Sequence, residues 1–546
     1  MNTLQTRHHQ MFPVLSAAQI EAARVFASGP AQSFAPDETV YAIGDRGAPA
    51  WLVLNGALTT FRRDGLSHES VISTVGPGQF TGEVNQLAGR AAIATSRAGP
   101  DGCTALPFDA PHLRALMIGS AEIGEIVMRA LILRRVALIE EGGAGTIIIG
   151  TPGGPDIVRL QSFLTRSGFP NLVLDAATDE EGHALVERLA LRAEELPLVV
   201  CPNGRMLKRP SEVELAHCLG MTPEIDPDRV YDVAIVGAGP AGLAAAVYGA
   251  SEGLSVIVLD ERAMGGQAGA SARIENYLGF PTGISGIALA GRAFNQALKF
   301  GAEIAAPVQV ERLDCEGDRL ALELAGDRTV RARTIVVASG ARYRRPEIEG
   351  LSTFDGAGVS YWASPIEARL CADCDVALVG GGNSAGQAIV FLAPHVKRLH
   401  LFVRRDLSET MSRYLIDRIA ALPNVEVNVG CEIVGLEGDH AHGPTVASVR
   451  NRQGVVRQVP IRHLFLFTGA DPNAGWLAEC VETDAKGFVV TGHGSRALET
   501  DRAGVFAIGD VRAGSVKRVA AAVGEGAAVI AQIHAALAER SQEEAL

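Results

Sequence analysis

Two glycine-rich turns, each set between an apolar strand and an apolar helix, leave this chain few folds to choose from. Residues 231–260 read YDVAIVGAGPAGLAAAVYGASEGLSVIVLD, in which Gly237-x-Gly239-x-x-Gly242, with Pro240 and Ala241 inside it, follows one strand and Asp260 ends the next. Gly237 makes the tight turn, Gly239 lets a pyrophosphate approach the backbone, and Gly242 lets helix and strand pack closely. The helix start offers unpaired N–H groups to the phosphates. Asp260, with Glu261 as the alternative, accepts from a ribose hydroxyl. A second unit, DVALVGGGNSAGQAIVFLAPHVKRLHLFVRR, carries Gly380, Gly382 and Ala385 at the three positions, with Asn383 and Ser384 between them. It ends on Arg404 and Arg405 where the first ends on an acid. Guanidinium groups there hold a 2'-phosphate, which predicts NADPH rather than NADH. A third signature, TDRAGVFAIGDVRAGSVKRVAAAVGEGAAVIAQIH, delivers Asp510 after Gly509 at a strand end, and a helix then opens at Arg518, Val519 and Ala520. Such an acid holds a flavin's ribityl hydroxyls while the helix start faces the flavin ring.

The chain as a whole is too long for one core: 546 residues predict three or four domains. A net charge of -13 argues against a nucleic-acid partner, which would need a basic face. The N-terminus lacks the apolar segment of a secretory signal. The most apolar late stretch, Val519 to Leu537, is interrupted by Glu525, Gln532 and His534, so no membrane span is expected. Eight cysteines are scattered, with one close pair, which does not read as a secreted disulfide framework. These points together predict a cytoplasmic protein.

Residues 1–142 begin with short β-like runs punctuated by glycine (ETVYAIGD, AWLVLNG, ALTTFRR, SVISTVGPGQF) and close with AEIGEIVMRALILRRVALIE at helical spacing. That predicts a β-roll with a helical lid. Residues 146–222 read β-α-β, a helix, two strands split by Asn203-Gly204, and a closing helix. This order resembles a thioredoxin or glutaredoxin domain, with Pro197 before the third strand. The turn after the first strand is GTPGGPD, where redox-active members carry a cysteine pair. Cys201 and Cys218, far apart in sequence and inside apolar segments, read as buried structural thiols rather than a replacement pair.

Residues 229–546 resemble the low-molecular-weight thioredoxin reductase family, on the three signatures together with GGQ at 265–267, IENYLGFP at 274–281, VVASGA at 336–341 and TGADPN at 468–473. The resemblance implies an α/β fold of two Rossmann-like lobes: an FAD lobe at 229–342 and 468–546, and an inserted NADPH lobe at 343–467. It further implies a homodimer whose lobes rotate so that NADPH reaches FAD, with Gly266, Gln267, Asn276, Ala338 and Gly340 joining the FAD contacts. In that family the reactive C-x-x-C follows a GVS segment. Here GVS at 358–360 is followed by Trp362 and Pro365 roughly where the cysteines would stand.

The chain does have a C-x-x-C, Cys371 and Cys374, one residue before the strand of the second turn. A doubly wound sheet binds its ligands at the carboxyl ends of its strands. This pair sits at the amino end, roughly 15 Å from the turn at ~3.3 Å per residue. Asp373 and Asp375 flank the sulfurs and disfavour thiolate. The pair reads as structural, and no metal site is expected, since no second C-x-x-C or His pair accompanies it. Trp362 reads either as a flavin gate or as lobe core.

The β-roll resembles a cyclic-nucleotide-binding domain, with FTGEVNQLAGRAAIATSRA (80–98) as its phosphate cassette. Gly82 and Glu83 match the turn and the ribose acid. The arginine for the cyclic phosphate aligns with Ala92, leaving Arg90 or Arg97 to substitute. A cyclic nucleotide, another small ligand, or a docking role all fit. The sequence thus predicts an FAD- and NADPH-dependent oxidoreductase with an unidentified acceptor. Its rivals are a true thioredoxin reductase using Cys371 and Cys374, and a flavin-based sensor with little turnover.

Overall fold

The computed structural model describes residues 3–63, 69–82, 84–87, 90–140, 145–315, 320–439, 443–477 and 480–545. The β-roll is an antiparallel sheet whose two longest strands, Ala50–Arg63 and Thr95–Phe108, pair from Ala50 opposite Phe108 to Phe61 opposite Thr95. Register shifts beside Gly56 let the ribbon bend. Gly56 has φ +73°, and a Cβ there would lie 2.2 Å from the Gly102 carbonyl oxygen. Two runs that look separate in sequence, AWLVLNG and ALTTFRR, are therefore one bent strand.

Asp109 caps the helix Ala110–Gly119 by accepting from the His112 N–H at 3.0 Å, and Ala121–Glu140 follows it. Leu113 and Leu116 of the first helix belong to the same buried cluster as Phe294 and Ala297 of Gly286–Lys299, far along the chain. The roll is thus bedded on the outer lobe of the C-terminal module. Burial of Leu113, Leu116 and Phe294 contributes about 1.5–3 kcal/mol each.

The middle domain has four strands in the order Asn171–Asp175, Thr146–Gly150, Leu198–Val200, Met206–Lys208, the first pair parallel and the others antiparallel. Helices Pro155–Ser167 and Glu180–Arg188 alternate with the first strands. This is the thioredoxin-like arrangement. One expectation fails here: Cys201 and Cys218 are not separate thiols but a disulfide, with Cα atoms 6.8 Å apart. The Asn203-Gly204 turn and the returning helix Glu212–Cys218 bring the second sulfur back over the first, and Asn203 Nδ2 donates to the Cys218 carbonyl at 3.2 Å. A second disulfide, Cys315–Cys480, joins residues 165 apart in sequence, equally unforeseen from scattered spacing.

The outer lobe is a sheet in which Glu303–Ala305, Val256–Leu259, Val230–Val236, Arg328–Val337 and Val505–Ala507 run parallel, extended by the antiparallel Leu320–Leu324 and Val310–Asp314. Its parallel strands are near-continuous apolar runs because helices cover both faces. The chain leaves this lobe at Ala341–Tyr343 and returns at Ala470–Pro472, and these segments pair antiparallel as a two-strand ribbon.

Between them lies the inserted lobe. Its parallel sheet has the order Val359–Ser360, His463–Leu466, Asp375–Val379, Arg398–Val403, Val425–Val429, with a three-stranded antiparallel sheet beside it. Among the described residues one helix, Val519–Arg540 within Val519–Ala545, is long and apolar enough to cross a membrane by length and composition. In this fold Val529, Ile530 and Ile533 from it are buried in the outer lobe's core, in the same cluster as Leu243 and Ala246 of helix Pro240–Ser251.

Candidate active site

The first turn admits no side chain at the first and third fingerprint glycines. Gly237 has φ +113°, and a Cβ there would sit 2.2 Å from the Ala338 carbonyl oxygen; a Cβ on Gly242 would sit 1.9 Å from that of Gly237. Gly239 caps helix Pro240–Ser251 with no side-chain hydrogen bond, and its nearest neighbour for a Cβ is Gly266 Cα at 3.9 Å. A helix start left uncapped and unobstructed fits a diphosphate.

Asp260 lies enclosed beside it. One carboxylate oxygen accepts from the Ala238 N–H at 2.7 Å, and the other from Arg262 and Ala263 N–H at 2.9 and 3.1 Å. Burial raises its pKa, against the pull of these donors and of Arg166. Its first task is thus to pin the turn to the second strand; Glu261 is exposed.

The other flavin-side positions surround this turn. Gly266 packs against Gly239, Gln267 donates to the Ala341 carbonyl, and Gly340 accepts from Asn473 N–H at 3.0 Å. Ala338 is buried and donates its N–H to Val236 at 2.8 Å, whereas Asn276 lies exposed on its loop. Gly509 N–H donates to Glu525 at 2.6 Å. Asp510 is largely enclosed and burial raises its pKa, with Lys517 opposing the shift. The Arg518 carbonyl accepts from Ala522 N–H at 3.0 Å, so Arg518, Val519 and Ala520 form the start of the long helix.

The second turn repeats the pattern. Gly380 has φ +147°, and a Cβ there would lie 2.7 Å from the Phe467 carbonyl oxygen, with buried Ala385 beside it. Gly382 caps helix Asn383–Leu392 with no side-chain bond and with open space at its Cβ. Asn383 Oδ1 accepts from Ser412 N–H, and Thr410 Oγ1 donates to the Gly381 carbonyl, both at 2.7 Å. Arg404 and Arg405 are exposed at the end of the neighbouring strand, Arg405 lying 3.5 Å from Glu409. A third cation joins them: Arg452 donates to the Arg404 carbonyl at 3.2 Å. It comes from the far end of a hairpin, and no sequence signal marks it.

Tyr343 of the connecting ribbon lies between the second turn and Asp510 of the outer lobe. Burial raises the pKa of its phenol, Asp510 adds to the shift, and a hydrogen bond with Ser384 opposes it. One side chain therefore feels both the acid of the outer lobe and the turn of the inserted lobe. Across the same boundary Arg418 of the inserted lobe pairs with Glu275 of the outer lobe at 2.5 Å.

The two close cysteines lie elsewhere. Helix Pro365–Leu370 ends at Cys371, and Cys374 precedes strand Asp375–Val379, whose opposite end carries Gly380. Both are free thiols. Cys371 is fully buried, its Sγ donates to the Glu367 carbonyl at 3.0 Å, and burial followed by Cys374 pushes its pKa up to about 12. Trp362 is half-buried, and its indole N–H donates to buried Glu367 at 3.0 Å, which ties it to this helix start.

In the β-roll, Glu83 lies outside the described residues. A cleft of 310 Å³ opens between the roll and the middle domain, lined by Gly82 and Arg90 from one side and Arg205 and His217 from the other. Arg90 donates to the Ile304 carbonyl at 3.0 Å and lies over the Phe294 ring, so it reaches into the outer lobe. Arg97 pairs with Glu69 at 3.1 Å. Arg134, missed in the sequence, donates to the carbonyls of Met11, Phe80 and Gly82, each at 2.8 Å; burial lowers its pKa to about 10.

Two glycine turns, each opening a helix with no side-chain cap on its own parallel sheet, define a two-dinucleotide oxidoreductase. The chain belongs to the pyridine nucleotide-disulphide oxidoreductase family, which it matches over residues 231–526; residues 31–119 match the cyclic nucleotide-binding domain. Thioredoxin reductase of Listeria innocua is 32% identical over 307 residues, 55% of this chain and 91% of that one. Thioredoxin reductase of Mycolicibacterium smegmatis is 33% identical over 315 residues, 57% and 98%. The crystal structure of T. acidophilum thioredoxin reductase superposes with a TM-score of 0.53 at 28% identity, covering 56% of this chain and 99% of that one. Thioredoxin reductase family members use FAD and NADPH, and both turns fit those groups.

Proposed function

We propose that this chain, as a homodimer, moves hydride from NADPH to FAD and passes the electrons to an acceptor outside the chain, without Cys371 and Cys374. Bound FAD supplies the two-electron carrier. The chain's residues supply placement: Gly382 to Ser384 seat the NADPH diphosphate, Arg404, Arg405 and Arg452 take its 2'-phosphate, and Tyr343 stands where the two sites meet. With a disulfide acceptor, NADPH and one proton give NADP+ and two thiols; a quinone gives the quinol. The observation that carries the reading is the setting of Cys371, a buried thiol with its pKa near 12, bonded into its own helix at the far end of the strand from Gly380. A reactive dithiol needs thiolate and access.

The test is anaerobic addition of NADPH to the purified protein, followed by reoxidation with thioredoxin, small disulfides, quinones and oxygen in turn. Flavin bleaching followed by turnover in a Cys371→Ser, Cys374→Ser double variant supports the reading. Loss of all disulfide turnover in that variant, with bleaching intact, sinks it.

The cleft beside the β-roll supports a second element, a small anionic ligand with an apolar body. Among the described lining residues there is no carboxylate, while Arg205 and His217 line it together with Arg46, whose partner Glu224 stands outside the lining. Calorimetry with cyclic AMP and cyclic GMP tests this, and an absence of heat with both leaves the roll as a docking module.

A further inference from the structure

Arg166 closes helix Pro155–Ser167 of the middle domain, outside the matched family region 231–526. The helix turns off at Gly168, whose φ of +74° terminates it and leaves Arg166 directed at the outer lobe. Its Nη2 donates to the Gly266 carbonyl at 3.0 Å. Its Nε is buried and has no hydrogen-bond partner. Gly266 is the glycine that packs against Gly239, the uncapped start of the first fingerprint helix: a Cβ on Gly266 would lie 3.0 Å from Gly239 Cα. Asp260, pinning that same turn, is near enough that its carboxylate and Arg166 bias each other's charge.

The unpartnered Nε is odd for a purely structural arginine. A guanidinium has five N–H donors in a fixed fork, and a buried donor left unsatisfied is destabilising. The fingerprint itself provides only backbone N–H groups and a helix start for a diphosphate that carries negative charge. A forked cation one residue from that cradle supplies the missing counter-charge with charge-assisted geometry.

We propose that Arg166, reaching in from the middle domain, binds the diphosphate of FAD, so that the flavin site is completed by a domain outside the reductase module. Arg166 is a cofactor-binding residue of this chain that takes no part in the chemistry. The middle domain, lacking a cysteine pair in its first turn, then has a function: it seats the flavin.

The test uses full-length apoprotein titrated with FAD and, separately, with ADP, followed by intrinsic fluorescence and calorimetry. ADP carries the diphosphate and adenosine without the flavin, and so reports the cradle alone. Arg166→Ala is expected to weaken both FAD and ADP by ten- to a hundredfold, with NADPH affinity unchanged. Arg166→Gln retains a donor for the Gly266 carbonyl but no charge and should lose nearly as much, while Arg166→Lys should recover part of the affinity. If Arg166→Gln binds FAD and ADP within twofold of wild type, the residue only props the Gly266 loop and the proposal fails. A loss confined to FAD, with ADP unaffected, also overturns it. Should Arg166→Ala not fold, the Gln and Lys variants decide.

Discussion

Arg418 and Glu275 meet at 2.5 Å across the boundary between the inserted and outer lobes, the one half-exposed, the other at 19% side-chain exposure. The pair joins the two lobes in the arrangement in which Tyr343 feels both Ser384 and Asp510. Partly exposed pairs of this kind contribute about 0.2–1 kcal/mol, at most about a fivefold bias in an equilibrium. Arg418→Ala is therefore expected to slow NADPH-driven flavin reduction two- to fivefold in stopped-flow at low salt. The difference from wild type should shrink as ionic strength rises. A rate unchanged at every salt concentration would show that the pair does not select this arrangement.

The setting of Cys371 yields a second outcome. A thiol with pKa about 12 is thiolate to about one part in 10⁴ at pH 8, against roughly a fifth for an ordinary thiol. In native protein Cys371 should therefore alkylate at least a thousandfold more slowly than a free thiol, and peptide mapping should find it unmodified until the protein is denatured. Rapid native labelling at Cys371 would return the pair to candidacy as a redox centre.

The contrast between what the sequence showed and what it concealed follows the range of each interaction. The turns at Gly237 and Gly380 are local: strand, glycines and helix occupy consecutive residues, and each glycine answers a clash that its neighbours create. Cys371 and Cys374 could likewise be placed at the wrong strand end by counting residues. Arg452 lies far along the chain from the Arg404 carbonyl it bonds, and Arg166 sits in another domain from Gly266, so neither leaves a periodic or spaced trace. Cys201 and Cys218 were misjudged because sequence distance stood in for spatial distance, which a hairpin and one short helix collapse. The strand Thr95–Phe108 was hidden differently. Its Gly99, Pro100 and Gly102 are residue types that usually break strands, yet they sit at the register shift where this one strand bends around the roll.

Arg404 and Arg405 are exposed at the end of the strand after the second turn, and Arg452 donates to the Arg404 carbonyl, the grouping proposed to take the 2'-phosphate. Bidentate guanidinium contacts are lost on truncation while the rest of the nucleotide site is untouched. The double variant Arg404→Ala, Arg405→Ala should raise KM for NADPH by about tenfold or more and leave that for NADH within twofold. Adding Arg452→Ala should erase what preference remains. Equal effects on both nucleotides would mean that the arginines support the loop and do not read the phosphate.

His400, buried at 6% exposure in the middle of the inserted lobe's sheet, gives that lobe a pH dependence of calculable sign. Its ring stacks on Phe402, Glu426 lies 3.2 Å from Nδ1, and Arg398 and Asp375 act on it from its own and the adjoining strand. Burial is the largest influence and lowers its pKa; the two carboxylates oppose this only in part. In the unfolded chain the group takes up its proton at about pH 6.5; in the folded lobe it does so only at lower pH. Between those two values the unfolded state binds more protons, so stability falls as pH drops below about 6.5 and is unaffected by this group above it. His400→Phe keeps the stacking and removes the titration. Urea unfolding at pH 7.5, 6.5, 5.5 and 5.0 should show wild type losing stability toward acid more steeply than the variant. Parallel slopes would mean that the ring accepts its proton in the fold as readily as in water.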